Sequence, residues 1–153
     1  MKIAFGCDHG GIVNKDAVIY YLSTNGHEVK DFGTFSEDSC DYPEYAKKVT
    51  LAVVNGECDY GILICGTGIG MSIVSNKIKG ARCAHVTDAF SAEMTRKHNN
   101  SNVLALGARI TSKEDCVKFV DIFLNTQFEG GRHQNRVSQI LEIEEENFRR
   151  NYE

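Results

Sequence analysis

The sequence predicts a doubly wound α/β fold, with five parallel strands and helices on both faces, and two observations carry that expectation. Short apolar runs of strand length alternate strictly with longer amphipathic segments, an order that implies a parallel sheet covered on both sides. No repeat, low-complexity tract or Pro/Gly/Ser linker interrupts the 153 residues, and Pro43 is the only proline. A chain of this length with 42% hydrophobic residues fills one core and is short for two, so a single domain over residues 1–153 is expected.

The elements follow in order. KIAFG at 2–6 reads as the first strand, and residues 11–25 place apolar side chains at helical spacing. HEVKDFG at 27–33 is the second strand and 43–55 the second helix. YGILICG at 60–66 is a continuous apolar run, as a strand buried on both faces requires, and a helix is expected over 69–78. RCAHV at 82–86, a helix over 88–98 and NVLALG at 102–107 complete the sheet. The helix over 112–126 opens with TSKED, an N-cap hydroxyl followed by acids. A last, charged helix over about 133–150 is expected at the surface or at a contact between copies. The common five-strand order 2-1-3-4-5 puts the switch point between strands 1 and 3, where ligands bind beyond the carboxyl ends of the strands. Cys7-Asp8-His9 and Cys65-Gly66-Thr67 therefore become neighbours.

Composition narrows the partners. A net charge of -4 argues against nucleic acid or an anionic membrane, both of which demand clustered Lys and Arg. No stretch approaches the ~18 apolar residues of a spanning helix, and the N-terminal apolar run is too short for a signal peptide, so a cytoplasmic protein is expected. Six cysteines are present, none in a C-x-x-C pair, and no two histidines stand at H-x-x-x-H spacing; reduced thiols and no metal site are expected.

The stretch CGTGIGM at 65–71 concentrates the chemistry. A dinucleotide fingerprint fails because Met71 and Ile73 stand where glycine is required, and no G-K-[ST] of a Walker loop follows. A cysteine-phosphatase loop lacks its arginine: Met71 and Val13 occupy that place after Cys65 and Cys7. Gly66, Gly68 and Gly70 let backbone N–H groups converge ahead of a helix, which makes an oxyanion site. A helix N-terminus favours a thiolate over a thiol. The ordinary role of such a cysteine is a small buried hydrophobe ending a strand, but the loop and the switch point favour a base that takes a proton from carbon while amides hold the enolate oxygen.

Around it, Asp8 and His9 could hold sugar hydroxyls or phosphate, with helix capping the competing role for Asp8. His98 ends a helix pattern and on its own is weak evidence. In GGRHQNR at 130–136, Arg132 and Arg136 stand at i,i+4 beside His133 at a helix start, an arrangement suited to phosphate.

Together GCDHGG (6–11), DYPEYA (41–46), GILICGTGIGMSIVSNK (61–77), HNNSNVLALGAR (98–109) and GGRHQNR (130–136) resemble the type B ribose-5-phosphate isomerases, related to the galactose-6-phosphate isomerase subunits. The resemblance spans nearly the whole chain. It implies a three-layer α/β/α Rossmann-like fold and a homodimer or dimer of dimers with sites across the dimer interface. It also implies cofactor-free interconversion of ribose 5-phosphate and ribulose 5-phosphate in the pentose phosphate pathway. By that resemblance Cys65 moves the proton between C2 and C1, and the 66–71 amides, Gly66, Gly68, Gly70 and Met71 among them, hold the enediolate. Thr67 lies against the reacting oxygens. His98 with Asp8 assists ring opening, and His9, Arg132, His133 and Arg136 hold the phosphate. Tyr42, Asn99 and Arg109 are further contacts. A second branch of the family uses a glutamate later in the loop; that place is Met71 here, so the chain sits with the cysteine branch.

Two rivals remain. The same chemistry could act on allose 6-phosphate or galactose 6-phosphate, although one chain carrying both Cys65 and His98 favours the self-sufficient ribose enzyme. A flavodoxin-like or receiver module without catalysis would carry an aspartate at the end of strand 3 and a lysine ending strand 5, where this chain has Cys65 and Gly107-Ala108-Arg109.

Overall fold

The computed structural model describes residues 1–150. Five parallel strands, β1 (Lys2–Cys7), β2 (Glu28–Asp31), β3 (Tyr60–Cys65), β4 (Cys83–His85) and β5 (Val103–Gly107), alternate with α1 (Ile12–Thr24), α2 (Tyr42–Val54), α3 (Ile69–Ser75) and α4 (Ala89–Asn99). Helices α5 (Lys113–Asn125) and α6 (Arg132–Arg150) follow.

The strand order is β2-β1-β3-β5-β4, which corrects the expected 2-1-3-4-5 in its last two places. Composition explains the exchange. All of β5, VLALG, is buried, as a strand flanked on both sides must be, whereas the three residues of β4 are half-buried and stop at an edge. Because α4 now carries the chain back toward the centre, a right-handed crossover puts it on the face opposite α2 and α3. The switch point between β1 and β3 is unaffected.

Side-chain alternation divides the core in two. Ile3, Phe5, Cys7, Ile62, Ile64, Leu104 and Leu106 face α1, α4 and α5 through Val18, Leu22, Ala92 and Phe123. Ala4, Leu63, Cys65, Val103 and Ala105 face α2 and α3 through Ala46, Val49 and Met71. Cys7 and Cys65 thus end neighbouring strands yet point to opposite faces. On the first face α1 starts flush with β3: a Cβ at Gly11 would stand 2.1 Å from the Ile64 carbonyl oxygen.

Local signals account for several helix ends. Ser112 caps α5 by accepting the Asp115 N–H at 3.1 Å, and Asp88 caps α4 through Ser91. Asn100 closes α4 in the left-handed conformation. Helix α3 stops at Ser75, short of the expected 78, because the Asn76 side chain turns to the edge strand. There it accepts the Cys83 N–H and donates to the Cys83 carbonyl, both at 2.9 Å.

Candidate active site

At the carboxyl edge of the sheet the loops that follow β1, β3 and β5 interlock. The Asp8 N–H donates to the Ile64 carbonyl at 3.2 Å. Beyond β3, the Cys65 and Gly66 carbonyls accept the N–H groups of Ala108 and Arg109, both at 2.9 Å. These bonds set Asp8, Cys65-Gly66 and Arg109 side by side.

Cys65 lies at the bottom of this edge, 5% exposed. Its Sγ accepts the Gly68 N–H at 3.0 Å. Gly68 can present that N–H because its φ is +82°, a conformation that disfavours any side chain. No room for one exists either, since a Cβ would stand 2.8 Å from the Leu106 carbonyl carbon and 2.8 Å from the His85 ring. Thr67 is exposed, and its carbonyl accepts a hydrogen bond from His85 Nε2 at 2.7 Å. Elsewhere burial holds cysteines as neutral thiols: it pushes Cys7 and Cys83 up to about 12 and raises Cys58 and Cys116. All six cysteines are free.

The other expected groups at this edge are gathered here. Asp8 Oδ1 accepts the N–H groups of Gly10 (2.8 Å) and Gly11 (3.0 Å), so the carboxylate organises the start of α1. His9 Nδ1 accepts the Cys40 N–H at 3.2 Å. A neutral His9 therefore carries its proton on Nε2, the tautomer that can donate to an anion. The Tyr42 ring covers Gly70, where a Cβ would stand 2.6 Å from it. The Arg109 guanidinium lies against Gly66, 2.9 Å from a Cβ built there. Met71 is fully buried, so only its backbone belongs to the loop.

His98, Arg132, His133 and Arg136 form a second group, at the opposite end of the sheet, and Asn99 is the last residue of α4 beside His98. Helix α4 leaves the carboxyl edge and runs back to the start of β5, so residues at its carboxyl end stand at the amino edge. Cys65 pairs with Gly107 and Gly61 with Val103; those four residues alone separate the two levels by about 13 Å. The His98 and His133 rings stack with centroids 4.2 Å apart and planes 12° from parallel. Glu129 Oε2 lies 3.4 Å from His133 Nε2. Burial, then the neighbouring His98 and Arg132, depress the His133 pKa from its ordinary value, against the pull of Glu129.

Ligand atoms of His98, Glu129 and His133 fall within 4.8 Å of one another. Arg132 and Arg136 add positive charge beside His133.

Comparisons with known proteins identify the family. The sequence profile described as Ribose/Galactose Isomerase matches residues 3–140. The chain belongs to that family. It is 50% identical over 144 residues to ribose-5-phosphate isomerase B of Escherichia coli, covering 94% of this chain and 97% of that protein. Its fold matches ribose-5-phosphate isomerase B of Clostridium thermocellum with TM-score 0.94 at 48% identity, over 96% of this chain and 99% of that one. A structure of ribose-5-phosphate isomerase B from Mycoplasma genitalium with bound ribulose 5-phosphate matches with TM-score 0.91 at 40% identity, over 95% and 97% of the two chains.

Within this ribose/galactose isomerase fold, sequence reasoning missed two side chains that touch the expected groups. Glu129 precedes GGRHQNR and gives no motif of its own. His85 ends an edge strand, and its signal is only that an imidazole stands where the strand run would otherwise stay apolar.

Proposed function

We propose that this chain interconverts ribose 5-phosphate and ribulose 5-phosphate through an enediolate, with Cys65 as the base. The observation that carries the reading is a nearly buried thiol accepting a backbone N–H at the switch point of the sheet, one loop away from Asp8. Asp8 and His98 assist opening of the furanose ring. The Cys65 thiolate, stabilised by the Gly68 N–H, removes the proton from C2 and returns it to C1, while the remaining amides of the 66–71 loop hold the oxyanion. Thr67 faces the reacting oxygens. His9, Arg132, His133 and Arg136 bind the phosphate; Tyr42, Asn99 and Arg109 complete the contacts.

This division of labour calls for a second copy of the chain. One protomer keeps Cys65 and His98 at opposite ends of its sheet, so the working site is built from the carboxyl edge of one copy and the α4–α6 corner of its partner. Exposed apolar side chains rim the carboxyl edge: Phe35 at 74%, Ile110 at 57%, Val13 at 56% and Ile69 at 50%. A contact between copies would cover them. A homodimer, or a dimer of dimers, is the assembly we assign, in the cytoplasm and in the pentose phosphate pathway. No helix among the described residues is long and apolar enough to cross a membrane.

The test is turnover by EDTA-treated protein on ribose 5-phosphate, allose 6-phosphate and galactose 6-phosphate in parallel. The highest kcat/KM is expected on ribose 5-phosphate. A preference for a six-carbon sugar would move the same chemistry to that substrate, and no turnover of any of the three by folded protein would overturn the reading.

A further inference from the structure

His85 reaches Cys65 through a single peptide group. Its Nε2 lies 2.7 Å from the Thr67 carbonyl oxygen, and a carbonyl can only accept, so Nε2 carries the proton and donates. The nitrogen of the same peptide is that of Gly68, whose N–H donates to Cys65 Sγ at 3.0 Å. Imidazole, peptide and thiol therefore form one hydrogen-bonded chain. A donor on the carbonyl end draws charge toward oxygen and leaves the N–H a stronger donor at the other end. We propose that His85 is a positioning residue for the isomerisation: it fixes and polarises the Thr67–Gly68 peptide so that the Gly68 N–H stabilises the Cys65 thiolate.

Two further contacts favour this role over simple packing. The His85 ring lies against Gly68, where a Cβ would come within 2.8 Å of it, so the ring sets the position of the loop as well as its polarity. Gly107 closes the other side, since a Cβ there would stand 2.4 Å from the Thr67 carbonyl carbon and oxygen. The peptide is held between a strand end and an imidazole, with little freedom to turn its N–H away from sulfur. Asp8, Tyr42 and Arg109, the other ionisable groups around this loop, attach from different elements and are untouched by a change at His85.

The proposal rests on Cys65 as the base, and its test has a readout independent of turnover. Two variants are compared with the wild-type chain. His85→Phe keeps a ring against Gly68 and removes the donor; His85→Gln restores a donor at about the reach of Nε2. Alkylation of Cys65 by iodoacetamide is followed by peptide mass spectrometry at pH 7 and at pH 10.5. Cooperative strengthening of about 10–30% on a charge-assisted bond predicts alkylation at pH 7 about two- to threefold slower in His85→Phe. Equal rates at pH 10.5 are expected, because the effect is on ionisation and not on access. His85→Gln should recover most of the pH 7 rate, and kcat should follow the same order with KM little changed. Equal alkylation at pH 7 in folded His85→Phe overturns the proposal, as does a loss in His85→Gln matching that in His85→Phe. If His85→Phe fails to fold, a wild-type rate in His85→Gln still supports the donor role, and a Phe-like loss of thiolate there still defeats it. Failure of the base assignment would appear separately, as turnover surviving in Cys65→Ala whatever the alkylation rates.

Discussion

Cys65 and His98 lie at opposite ends of one sheet, about 13 Å apart along the strands before any lateral offset is counted. If both act on one sugar phosphate, they must come from different copies, and a mixed dimer exposes this. Cys65→Ala and His98→Asn are first made singly; loss of a base or of a ring-opening acid should lower turnover by about 10²-fold or more in each homodimer. The two variants are then co-expressed with different affinity tags, and the heterodimer is isolated on both in turn. In a twofold dimer with shared sites, one site of that heterodimer collects both lesions and the other collects none, so turnover should return to about half the wild-type value. If both residues served the same site from one protomer, every site would carry one lesion. Background activity in a purified, folded heterodimer would refute the shared-site reasoning.

Other outcomes follow from the same geometry. Gly68→Ala should combine left-handed strain of about 1–2 kcal/mol with a collision against the Leu106 backbone; kcat should fall about 10²–10³-fold as the N–H leaves Cys65, while Gly26→Ala, at a similar φ but with no atom within 4 Å, should leave kcat unchanged. Equal kcat in the two variants would contradict the role given to the loop. Arg132→Ala and Arg136→Ala should raise KM for ribose 5-phosphate with little change in kcat, and unchanged KM values would reduce both to surface charges. His133 is held below its ordinary value of 6.5, so the unfolded chain binds more protons than the folded one as pH falls through 6.5, and stability should decline there. Urea midpoints between pH 7.5 and 5 should show that decline, with a shallower slope in His133→Gln; identical slopes would remove His133 as its source.

Much of this was legible in the sequence because it is local. The alternating elements follow from hydrophobic period, the α5 cap from TSKED, and the meeting of Asp8 with Cys65 from strand-end topology alone. The exchange of β4 and β5 was not legible by that route, since a right-handed crossover is satisfied by either order. The contrast between wholly apolar VLALG and a short run flanked by Arg82 and His85 was the available signal. Placement of His98 could have been read from the direction of α4, because a helix returning from a parallel strand ends at the amino edge. Which copy His98 serves could not, as that depends on an interface whose apolar members, such as Phe35 and Ile110, carry no spacing pattern. His85 escaped notice because its partner is a backbone carbonyl, and no side-chain motif records that.

The most direct test of the central claim is conversion of ribose 5-phosphate to ribulose 5-phosphate by EDTA-treated protein, with Cys65→Ala measured beside it and its folding checked by circular dichroism. Turnover by the wild type and none by the folded variant is the predicted result. Near-wild-type turnover in Cys65→Ala would contradict the assignment of that thiol as the base.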